Sequence, residues 1–183
     1  MLPYSFLPLS IAALPTIILP KEIVSYMQRC PPQERRLLGV IHHHAELAAL
    51  IPKIFTQQVL FATDGSFDPH LQRATGSWCI ASKDGALRAF GSCPVDGDLS
   101  TMDSFRAELE AKRSLIYVLR MIIHTHRITL PESWSIEIWI DNTSALRYAS
   151  MERLFKPGLH VGPESAIISD IIAIRTQLNL TLR

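Results

Sequence analysis

Residues 59 to 93 carry three apolar runs joined by connections rich in turn residues. VLFAT leads into Asp-Gly-Ser and then the loop SFDPHLQRAT, GSWCIAS ends at Lys83-Asp84-Gly85, and ALRAFGSC runs into the turn-rich PVDGDLSTMD. Three such runs joined by turns predict an antiparallel meander. Next, Phe105, Leu109, Leu115, Ile116, Leu119, Ile122 and Ile123 fall on one stripe, which predicts a long helix from Ser104 to His124 capped by Asp103 or Ser104. Beyond Pro131, SWSIEIWID alternates, with Trp134, Ile136, Ile138 and Ile140 on one face of a strand. TSALRYASM and SAIISDIIAIRTQL read as helices, and LNLTLR as a last strand. The order β-β-β-α-β-α-α-β predicts an α/β fold, a mixed five-stranded sheet flanked by helices.

The 183 residues suffice for one domain with a sizeable core and an extension. An apolar fraction of 48% with 19% charged residues excludes a disordered chain. A net charge of +1 does not advertise a nucleic-acid partner, although a local basic patch is enough for one. Cys30, Cys79 and Cys93 form a sparse, odd set, which suggests a reducing, intracellular setting; Cys79 and Cys93 on neighbouring strands leave a disulfide open beside free thiols.

Residues 1 to 58 read as an extension to a domain spanning 59 to 183. The first twenty residues lack charge, but Pro3, Pro8, Pro15 and Pro20 interrupt them and no basic residue precedes the apolar part, so a loosely packed arm is expected rather than a membrane span. Lys21 to Gln58 reads as helical, broken at Pro31 and Pro32, with Gly39 and Pro52 weakening the pattern. His42, His43 and His44 point in three directions on a helix and do not suit a metal.

Three carboxylates bear on chemistry. Asp64 closes the first strand, Asp141 closes the fourth, and Glu108 lies on the apolar stripe of the long helix. Acids that converge repel one another unless a cation neutralises them, which points to a divalent-metal site. A buried Glu108 is otherwise explained by an ion pair with Lys112.

ATDGSF, SFRAELEA and IWIDNTSAL, in this order, resemble the ribonuclease H family, above all the ribonuclease H domains of reverse-transcribing elements. The likeness covers residues 59 to 183. It implies a ribonuclease H-like fold in which Asp64, Glu108 and Asp141 hold two magnesium ions, with manganese as a substitute, and cleave the RNA strand of an RNA–DNA hybrid. It also implies Gly65, Ser66 and Asn142 as substrate contacts, Asn142 being equally suited to cap a helix. Arg73, Lys156 and His160 are further phosphate candidates, and a reverse transcriptase domain is an implied partner. The family's fourth acid and the helix that carries it have no counterpart before Arg183, so the resemblance implies a three-acid site with weak or absent turnover. Asp170 is expected on an exposed helix position rather than as a replacement ligand. The alternative is a non-catalytic nucleic-acid-binding remnant of the same fold. An integrase-type reading would take its third acid from Glu164 or Asp170, and neither spacing from Asp141 suits it.

Overall fold

The structure, a computed structural model, describes residues 21–128, 135–140, 164–178 and 181–182. In chain order the elements are α1 (Lys21–Arg29), α2 (Pro32–Leu38), β1 (Val40–His42), α3 (His44–Phe55), β2 (Val59–Asp68), β3 (Arg73–Ser82), β4 (Arg88–Pro94), α4 (Ser104–His126), β5 (Ser135–Ile136), β6 (Ile138–Trp139), α5 (Ser165–Gln177) and β7 (Thr181–Leu182). The chain is α/β, with a mixed five-stranded sheet ordered β1-β4-β3-β2-β6 and helices packed against it.

The meander forms as expected: β2, β3 and β4 pair antiparallel in sequence order. β6 joins β2 in parallel, through Phe61 opposite Ile138 and Ala62 opposite Trp139. β7 does not complete this sheet. It pairs in parallel with β5, one residue upstream of β6, through Ser135 opposite Thr181 and Ile136 opposite Leu182.

Two local expectations change. The stretch from Lys21 to Gln58 is not wholly helical, because β1 interrupts it and adds an edge strand to β4. Gly39 at φ 56° and His43 at φ 57° bracket β1, and these left-handed turns stop the helices on either side. A Cβ at Gly39 would also collide with the backbone of Ser92 on β4, so the glycine lets the chain enter the sheet edge. The second change concerns Asp64, Gly65 and Ser66. They do not turn the chain but continue β2 to Asp68, paired with Ser77, Gly76 and Thr75. The loop to β3 shrinks to the turn at 69–72, where the Asp68 carboxylate accepts from the amides of His70 and Leu71.

Alternation along the strands sorts the side chains. Val59, Phe61, Trp78, Ile80 and Ala89 are buried in one core with Leu115, Ile116, Leu119 and Ile122 of α4. Leu37, Leu38, Leu47, Leu50, Ile54, Ile167, Ile171 and Ile174 bring α2, α3 and α5 into the same core. Ser114 on α4 donates to Leu37 O at 2.6 Å, and Arg120 donates at 2.6 Å to Glu34, tying α2 to α4. Cys79 and Cys93 project from opposite faces of their strands and all three thiols are free, so the bridge left open by the sequence does not form. Among the described residues no helix is long and apolar enough to cross a membrane.

Candidate functional site

β2 carries Asp64 at the sixth of its ten residues, and the first turns of α4 cross the strand at the next position. Asp103 caps the helix by accepting from the Arg106 amide at 2.7 Å. The helix then lies on the strands where they carry glycine. A Cβ at Gly65 would fall within the backbone of Ala107 and Glu108, and one at Gly76 would meet Ala111. Absent side chains thus let α4 settle with Glu108 directly against the strand residue that follows Asp64.

The two acids meet different surroundings. Asp64 is exposed, its strand face turned away from α4, and its backbone carbonyl accepts from the Ser77 hydroxyl at 3.1 Å. Glu108 is buried at 4% exposure on the helix side of the strand. The two acids therefore flank β2 from the two faces of the sheet. Asp141 lies outside the described residues, as do Asn142, Lys156 and His160. Gly65 is half-buried and Ser66 exposed, both within β2. Arg73 begins β3, exposed and opposite Asp68.

Asp170 is committed elsewhere. Its carboxylate accepts from Arg113 Nε at 2.6 Å and from the Tyr117 hydroxyl at 2.9 Å, across the α4–α5 contact. Arg113 also pairs with Glu110 at 3.3 Å. Sequence reasoning passed over Glu110, which is buried at 2% exposure; burial pushes its carboxyl up while Arg113 and Arg36 oppose the shift. The signal was present, since Glu110 and Arg113 stand three apart on one helix. Lys112 is also buried, at 1% exposure, and burial together with Arg175 pushes its ammonium down to about 8.

On the sheet face away from α4, a shallow depression beside Asp64 is lined by Ala62, Ser77, Phe90, Ser92 and His42. His42 packs on Phe90 with ring centroids 4.9 Å apart. Its exposed wall is mostly apolar, and Asp64 is the one carboxylate among the lining residues.

No known family model matches this chain, and no curated protein matches it.

Proposed function

We propose that this chain is a divalent-metal-dependent nuclease of the ribonuclease H type, acting on the RNA strand of an RNA–DNA hybrid. The observation that carries the reading is the seating of α4 on Gly65, which sets Glu108 against the strand position next to Asp64. The strand order supports it: an antiparallel meander followed by a parallel neighbour on β2. Asp141 follows β6, the parallel neighbour of β2, two residues after Trp139 in the sequence.

The donor set fits a hard cation. It offers only carboxylate oxygens, and Gly65 and Gly76 present no side chain that would hold helix and strands apart. Asp64, Glu108 and Asp141 would hold magnesium or manganese, which when bound supplies an activated water and charge stabilisation for the leaving oxygen. Asp64, on the solvent-facing side, is the acid that a phosphate backbone reaches first. Ser66, exposed on the same strand face as Asp64, carries the strand past the site with little side-chain bulk, so an RNA backbone can approach closely. Glu108, from the buried side, fixes the depth of the site. Asn142, next to Asp141, is the candidate for reading the hybrid's minor groove.

The test is cleavage of an end-labelled hybrid with magnesium, comparing the protein with Asp64→Asn. The expected result is RNA-strand products that fall by orders of magnitude in the variant. Equal rates would remove Asp64 from the chemistry and leave the non-catalytic binding reading.

A further inference from the structure

At the far end of α4 from Glu108, a groove between α1 and the last turn of that helix gathers positive charge. Lys21, Arg29, His124 and Arg127 line it, all exposed, with Glu22 as the sole acid among the lining residues. Ser25 and Thr125 supply hydroxyls, and the Thr125 Oγ1, itself shielded from solvent, finds no hydrogen-bond partner among the described residues.

Helix-end compensation accounts for part of this charge. Cations favour helix C-termini, where Arg29 closes α1 and His124 and Arg127 close α4. It does not account for Lys21, which stands at the N-terminus of α1, the positive end of that helix. Among the described residues no ion pair takes Lys21, Arg29 or Arg127; Arg29 donates its Nε to Ser25 O at 3.1 Å and is exposed. Arg120, by contrast, is taken by Glu34 and stays out of the groove.

Lys21 and Arg29 are eight residues apart on one helix, about 12 Å. That separation suits a row of charges rather than a single anion. We infer that the α1–α4 groove is a second contact surface for nucleic acid, gripping several phosphates of the sugar–phosphate backbone. The inference deepens the nuclease reading, because it seats flanking nucleic acid away from the acids. Glu108 to His124 spans about 24 Å of helix, or about seven nucleotides of one strand.

The test is equilibrium binding of a fluorescein-labelled 20-bp RNA–DNA hybrid by anisotropy, in EDTA so that the acids contribute no metal bridge. The hybrid is titrated at several salt concentrations against the full chain and against Lys21→Gln/Arg29→Gln/Arg127→Asn. Asparagine at 127 tolerates the left-handed backbone found there, and all three side chains are exposed, so the fold is kept. The expected result is binding about tenfold or more weaker, with the slope of log affinity against log salt shallower by about 2 to 3. Lys53→Gln/Lys83→Gln/Arg88→Gln removes the same charge elsewhere, at residues outside the groove and outside the proposed substrate contacts, and should leave the slope nearly unchanged. An equal loss in that control would show a net-charge effect and overturn the groove. Poly-glutamate that competes as well as the hybrid would overturn the nucleic-acid assignment. Cleavage without groove dependence sinks this inference alone; groove-dependent binding without cleavage leaves it standing and sinks the nuclease reading.

Discussion

Phe61 and Leu60 are neighbours on β2 with opposite surroundings. Phe61 faces the helices at 3% exposure, while Leu60 faces away at 40%. The contrast extends across the sheet. On the helix side stand Trp78, Ile80 and Ala89, all at 2% exposure or less; on the other lie Val40 at 57% and Trp139 at 61%. The same strands therefore serve two purposes. Their helix side fixes the fold by burial, and their other side carries Asp64, exposed to solvent.

The sharpest way to break this comparison is a matched truncation. Phe61→Ala should destabilise by about 3–5 kcal/mol, since it removes a ring from a packed core. Leu60→Ala should change stability by about 1 kcal/mol or less, because little of what it touches is lost. Urea unfolding of the two variants decides it. Comparable losses would mean that the outer face of β2 is covered in solution and that the sheet has a second layer.

Gly65→Ala tests the seam between the two sides. The added Cβ must push strand and helix apart, because the atoms it meets are backbone and cannot rotate away. A loss of about 1–3 kcal/mol is expected. The informative readout is hybrid cleavage per folded molecule, which should fall further than stability, because Glu108 moves away from Asp64. A variant that melts earlier yet cleaves at the original rate would detach Glu108 from the site.

How much of this was legible in the sequence follows from the same physics. The meander and α4 were legible because their periods, two and 3.6, are set by one-sided burial. β1 was not, since three residues between two helical patterns carry no period, and what creates the strand is pairing to β4. The end of β2 was misread because Asp-Gly-Ser signals a turn locally, and Gly65 is there to admit α4 rather than to bend the chain. Asp64 and Glu108 could be named as candidates, but their approach from opposite sides of the sheet depends on tertiary contact. The role of Asp170 was likewise hidden, since Arg113 and Tyr117 reach it from another helix. Asp141 and Asn142 fall outside the described residues, so for them the sequence remains the only witness.

A further test concerns a charge placed on the covered side. Lys112 lies within the helix layer, where burial and the nearby Arg175 push its ammonium down to about 8, against an ordinary value of about 10.4. Below the folded value both states are protonated, and the native state bears the full penalty of a buried cation. Between the two values the unfolded chain holds the extra proton, so stability rises with pH across that window and levels above it. Cys93, pushed up to about 11 by burial, and Tyr26, pushed up to about 12, act in the opposite sense at alkaline pH. Both are common to the parent and a Lys112 variant, so the difference between the two proteins isolates Lys112. Lys112→Met keeps the length and drops the charge. It should stabilise the chain by on the order of 1–3 kcal/mol at pH 7, with the advantage shrinking towards zero by about pH 10.5. Urea midpoints at pH 7, 8.5 and 10 give the trend. A constant advantage across that range would mean that packing, not charge, separates the two proteins, and that a buried cation is tolerated on the side of the sheet that otherwise excludes it.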